Sequence, residues 1–172
     1  MTKPDGTGRR VLIICGVACF LALFLFQYSR IANANSLSWD ECNHMYAGYM
    51  SWMHKDFGLN PEHPPLAKLL AALPLLSMQL KMPALQGRAY EVEAFLGGKD
   101  FLFRNDANTM TFRARMAASL ITLLLVVIVF LTAREFFGTG AGFLALGLIA
   151  FDPTLLAHGA VSPPIPRNRA SC

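Results

Sequence analysis

The side chains able to do chemistry crowd into one stretch, WDECNHMYAGYMSWMHKDFGLNPEHPPLAKLL, Trp39 to Leu70. Asp40 and Glu41 are adjacent carboxylates. Neighbouring side chains on an extended segment or at a helix start diverge, so one can face a site while the other makes structure. A carboxylate at the edge of an apolar medium suits a general base. The competing reading is a helix cap, with Asp40 preceding a helix over Glu41 to Met53. His44, His54 and His63 are candidate bases or ligands, but their spacings of ten and nine match no metal motif. His63 differs from the others because Pro64-Pro65 restricts the backbone beside it. Further along, Arg113 and Arg115 offer guanidinium groups that suit a lipid phosphate or an interfacial anchor. Asp152-Pro153, with His158 following, either serves a function or simply ends a helix at the headgroups. The cysteines, Cys15, Cys19, Cys42 and Cys172, form no CxxC pair, and a cysteine-based zinc site is not expected.

The elements that must position these groups are apolar. Of 172 residues, 54% are hydrophobic and 15% charged, with mean hydropathy +0.41. A soluble domain carries about a quarter charged residues. The net charge is +4, but the positive residues are dispersed and flank apolar blocks. Membrane topology explains them better than nucleic acid, and no nucleic-acid partner is expected. Residues 1–10 read as a basic cytoplasmic N-terminus. Val11 to Tyr28 reads as a first membrane helix, uncleaved, with a signal peptide as the rival reading. Met116 to Ala133 is the second helix, and 138–160 is the third, opening on the Gly138, Gly140, Gly142 cluster. The positive-inside rule puts the long loop 29–112 on the outer side. Within it, PPLAKLLAALPLLSMQL starts at a double proline and is too short to span. An interfacial helix over 65–80 is expected, with a core helix of a small outer domain as the alternative. Gly97-Gly98 is read as a turn, and the proline-rich tail 161–172 as a disordered end or as sequence foreign to the original frame. The expected fold is therefore an all-α membrane protein of about three transmembrane helices, with a long outer loop carrying an interfacial helix.

Asp40-Glu41 after the first helix, followed by GYM, KDFG and HPPLAKLL, resembles the opening of the dolichyl-phosphate-mannose-protein mannosyltransferase family. Its bacterial relatives include the lipid A aminoarabinose transferases, and all are C-type glycosyltransferases. AREFFGTGAGFLALGLIAFDPTLLAHGA resembles the part that follows, so the similarity covers roughly 11–160. The resemblance implies an enzyme that transfers a sugar from a polyprenyl-phosphate carrier to a protein, lipid or glycan acceptor, with inversion. It implies Asp40 as the catalytic base and Glu41 as its support. His63, Lys68, Arg113 and Arg115 would bind substrate and lipid phosphate. The sequence shows no requirement for a cofactor; a divalent metal is possible but has no support in the residues. The implied partners are the lipid-linked donor and membrane lipids, and the implied location is the bacterial inner membrane. Two departures stand out. The eukaryotic pattern has a histidine three residues after the aspartate, where this chain has Asn43, with His44 displaced by one. Family members also continue after AHGA with a further acidic motif and more helices, so a truncated form, active or not, is the expectation.

Overall fold

The computed structural model describes residues 6–38, 40–61 and 64–159. His63 and the tail 161–172 lie outside them. The described residues are helical and contain no strand. The first apolar block forms α1, Gly6–Ala34, and the second forms α5, Ala107–Phe137. At 1.5 Å per residue they measure about 44 and 47 Å. Both are long and apolar enough to cross a membrane. Of their most apolar 18-residue windows, only 11% and 17% are buried. The core helix of a soluble protein is mostly buried, so packing inside the chain does not account for their apolarity. Val11, Leu12, Ile14, Leu124, Ile128 and Leu131 all lie exposed on them.

The third block behaves differently from the expected single helix over 138–160. It divides into α6, Thr139–Ala150, and a short α7, Pro153–Gly159. Pro153 has no N–H to donate and would clash in a helix interior, so the break falls just ahead of it. The Asp152 carboxylate restarts the chain by accepting from Leu155 N at 2.7 Å, an N-cap contact. Gly138 makes the tight corner between α5 and α6 at φ +89°, a region costly for any residue with a Cβ. Gly142 then lets α6 close on Phe130 and Arg134.

Between the two long helices lie α2 (Glu41–His54), α3 (Pro65–Ala72) with a 3₁₀ turn over Leu73–Ser77, and α4 (Tyr90–Phe103). Pro65 starts α3 as its first residue, where a missing N–H costs nothing. The face of α3 carrying Ala72, continued by Leu75, enters a core shared with α2 and α4, while Leu66 and Leu73 remain exposed. Tyr46 and Tyr49 pack against Phe101 with centroids 5.4 and 5.2 Å apart. Gly97 and Gly98 are no turn: both are buried within α4. A Cβ on Gly97 would lie 2.7 Å from the Tyr46 ring, and one on Gly98 2.7 Å from the Cys42 carbonyl oxygen. Their small size serves close helix packing.

Candidate functional site

Arg115 projects from α5 into the corner between the end of α1 and the start of α2. Its Nε donates to Glu41 Oε1 at 2.8 Å and its Nη2 to Glu41 Oε2 at 2.8 Å. This is the forked, bidentate geometry that guanidinium and carboxylate share. The remaining donors go to backbone: Nη1 to Ala32 O and Asn35 O at 2.6 and 3.0 Å, and Nη2 to Ser36 O at 2.9 Å. Carbonyls at a helix C-terminus lack intrahelical partners, and α1 ends at Ala34. The arginine thus acts as its cap. Glu41 also accepts from Ser38 N at 2.7 Å. All five guanidinium N–H groups are spent, so Arg115 as placed has none left for a lipid phosphate. This differs from the role the resemblance implied for it.

The two carboxylates diverge as adjacent side chains must. Glu41 is buried and paired, whereas Asp40 is exposed. Asp40 occupies the N-cap position of α2 at φ −86°, ψ −15°, and its side chain makes no capping hydrogen bond. The cap reading therefore holds for its position and not for its side chain. A carboxylate at a helix N-terminus meets the positive end of the dipole, so Asp40 sits in a favourable field and faces solvent. Arg113 is exposed as well. Two residues from Arg115, it points to the opposite side of α5.

A cavity of about 460 Å³ opens between α2, α3 and α5. Pro64, Leu66, Ala67, Ala71, Ala118 and Ile121 supply apolar wall. Glu41, His44, Lys68 and Arg115 supply its polar part. Lys68 is 7% exposed. Its Nζ donates to the Asn60 backbone carbonyl and lies 3.4 Å from Asn60 Oδ1. Asn60 Nδ2 in turn stands 3.4 Å from His44 Nδ1. Lys68 is held there by an unusually close helix contact: a Cβ on Gly48 of α2 would lie 2.2 Å from the Lys68 carbonyl oxygen. The structure thus brings Glu41, Arg115, Lys68 and His44 around one cavity and leaves Asp40 just outside it, next in sequence to Glu41.

His54 ends α2 and is exposed. It stands about 15 Å along the helix from His44, too far to share a ligand with it. Among the described residues, no group of three His, Cys, Asp or Glu could hold a metal ion. The Tyr46 phenol beyond the cavity is raised above its usual pKa, first by burial, then by the charges of Glu93 and Asp56.

Asn60 and Glu93 carry no motif, and Gly48 entered the reading only as part of GYM, with no role assigned to it. Glu93 is buried and accepts from Gln86 N and Arg88 N, both at 3.1 Å, which ties the segment 78–89 to α4. Of the three, Gly48 alone had a signal in the sequence, as a lone glycine inside an otherwise helical pattern. No protein family, curated protein or solved structure matches the chain.

Proposed function

We propose that the chain forms one wall of a membrane site where a sugar on a polyprenyl phosphate passes to an acceptor, as in the C-type glycosyltransferases it resembles. The observation that carries this reading is the cavity between α2, α3 and α5. An apolar groove suits a prenyl chain, and the ammonium of Lys68 with the imidazole of His44 suits the phosphate. The long apolar helix α5 forms one of its walls, as a donor dissolved in lipid requires. In this reading the N-terminus is cytoplasmic, and the helices between α1 and α5 lie at the outer face of a bacterial inner membrane.

The reaction then balances simply. Asp40 takes the proton of the acceptor nucleophile, which attacks the anomeric carbon from the face opposite the phosphate. The bond from that carbon to the phosphate oxygen breaks, and the polyprenyl phosphate leaves with the electron pair. Attack from the far side inverts the configuration. Glu41 and Arg115 do not touch the reactants; they fix the start of α2 and so the place of Asp40. The internal saturation of Arg115 favours a second reading, a lipid- or partner-binding protein without transfer activity.

The test uses the purified chain in lipid nanodiscs. Decaprenyl phosphate should bind, and Lys68→Met should weaken it about tenfold, the loss of one charge-assisted contact. Sugar transfer from a decaprenyl-phosphate donor should vanish in Asp40→Asn with donor binding retained. Binding without transfer in the unaltered chain selects the second reading, and absence of binding rejects both.

A further inference from the structure

Apolar side chains occupy both sides of α3 and the turn that continues it. Lys68, Ala72 and Leu75 are buried on one side. At about 3.6 residues per turn, Leu66, Leu69, Leu70 and Leu73 share the other. Leu66 is 70% exposed and Leu73 48%. A helix apolar all round belongs in a buried place, yet this side lies at the surface of the described residues.

The end of α2 extends the patch. Trp52 is 46% exposed, and Met53 and Phe57 are exposed near it in sequence. The Trp52 indole N–H donates to Leu69 O at 2.9 Å, which seats the ring against α3. A buried tryptophan needs a partner for that N–H. Here the partner is inside the protein, so the ring can enter an apolar medium without an unsatisfied donor. His54 and Lys55 are exposed at the same end of α2. Basic residues beside leucine and tryptophan are the composition of a helix that lies on a membrane.

The level of the patch is set by α5. Helix α3 packs on α5, and Leu66 lines the cavity together with Ala114, Ala118 and Ile121. Ile121 stands five residues past Met116, where the apolar run of α5 begins, or about 8 Å along the axis. Leu120, Ile121 and Leu124 are exposed on that run. The leucine side of α3 is therefore level with the first turns of the run and continuous with its exposed surface through Leu66 and Ile121.

We infer that the Leu66–Leu73 side of α3, with Trp52, is a docking surface for acyl chains of the leaflet that α5 enters, a lipid contact additional to the spanning helices. It rests on α5 crossing the bilayer, as in the function proposed above, and not on sugar transfer. The patch sinks roughly 5–10 Å into the boundary between headgroups and chains. The cavity rim at Leu66 then lies at the level of the chains.

Quenching of tryptophan fluorescence tests this. The sequence holds two tryptophans, Trp39 and Trp52, so Trp39→Phe leaves Trp52 as the reporter. The chain is placed in phosphatidylcholine nanodiscs bearing a nitroxide on the acyl chain near the headgroup. Trp52 should emit at short wavelength, lose most of its intensity to the nitroxide, and respond little to acrylamide in the water. Quenching by acrylamide and not by the nitroxide overturns the proposal, because the patch then faces solvent. Protection from both also overturns it, because a protein surface, such as a second copy of the chain, then covers the patch. Leu124→Trp in a Trp39→Phe/Trp52→Phe background reports on α5 by itself. If the lipid nitroxide quenches that residue and not Trp52, the docking surface alone fails; if it quenches neither, the membrane placement of α5 fails with it. Should Trp39→Phe not fold, a spin label on Leu73→Cys in a cysteine-free background gives the same reading. It should collide with oxygen more often than with a water-soluble nickel complex, and the reverse order overturns the proposal.

Discussion

Replacing Arg115 with methionine should unfold the corner where α1, α2 and α5 meet. The substitution deletes two bonds to Glu41 and three to the carbonyls of Ala32, Asn35 and Ser36. It leaves a carboxylate in a buried site, where Ser38 N still donates to it. The pair is well buried, with side chains 2% and 10% exposed, so solvent does little to screen the loss. Removing one partner of a buried pair costs about 3–5 kcal/mol. At 1.4 kcal/mol per decade, that is roughly a hundred- to several-thousand-fold in the folding equilibrium. Glu41→Gln should fall toward the lower end, because the amide oxygen still accepts one guanidinium bond. Arg115→Lys should not rescue, since an ammonium offers three donors where five are used and lacks the planar fork. The double variant Glu41→Gln/Arg115→Met should cost less than the sum of the singles, by about 0.5–3 kcal/mol. The assay is denaturant unfolding of each variant in the same detergent, followed by far-UV circular dichroism. If Arg115→Met costs less than about 1 kcal/mol, as an exposed pair would, or if the two changes simply add, the corner is not held by this pair.

Gly48→Ala forces a Cβ to 2.2 Å from the Lys68 carbonyl oxygen and should destabilise by about 1–3 kcal/mol, whereas Gly140→Ala, with open space around it, should be neutral or stabilising; equal melting shifts for the two would contradict the helix contact. Tyr46 Oη is buried without a hydrogen-bond partner, so Tyr46→Phe should match or exceed the unaltered chain in stability. The raised Tyr46 pKa adds a sign: its stabilising contribution is complete below the ordinary tyrosine value of about 10 and declines above it, so the gain from Phe should grow in alkaline buffer. Asp106 caps α5 by accepting from Thr109 N and Oγ1 at 3.2 and 2.6 Å. Those bonds lower its pKa, so its contribution is present above the ordinary aspartate value of about 3.9 and is lost as pH falls below it. Acid titrations of unfolding should therefore be flatter for Asp106→Asn. Cys42 is fully buried and should resist thiol reagents, so sidedness is better read from Ala84→Cys at an exposed site in a cysteine-free background. An impermeant maleimide should label it from outside the cell, and labelling only after lysis would invert the proposed topology.

Much of the helical frame was legible in the sequence because it follows from composition. Two apolar runs without charge could only be long helices, Pro65 could only start one, and Gly138 marked the corner after α5. Physical context reversed the reading in three places. Gly97-Gly98 looked like a turn because glycine is permissive; its other use, close approach of two helices, depends on Tyr46 and Cys42 more than fifty residues upstream. The third apolar block reads as one element over 138–160 by hydropathy, although Asp152-Pro153 already marks a place where a helix could end. Arg115 looked like a phosphate ligand or an interfacial anchor from its position before an apolar run. Its real neighbours lie 74 to 83 residues away in sequence. The divergence of Asp40 and Glu41 followed from local geometry alone and was legible, whereas the grip of Asn60 on Lys68 and His44 is a loop contact with no periodicity to betray it.

The distance in sequence between Glu41 and Arg115 also orders events during synthesis. The first apolar helix and the start of α2 emerge well before their clamp exists, since 74 residues separate the partners. At roughly 5–20 residues per second this interval lasts about 4–15 s. Throughout it, Glu41 lacks its Arg115 partner and the carbonyls of Ala32, Asn35 and Ser36 lack the donors that Arg115 later supplies. The corner can lock only when the start of α5 arrives. The segment carrying the candidate chemistry is therefore finished late, by the helix that follows it, and a ribosome stalled before Arg115 would hold an α1 whose end is still frayed.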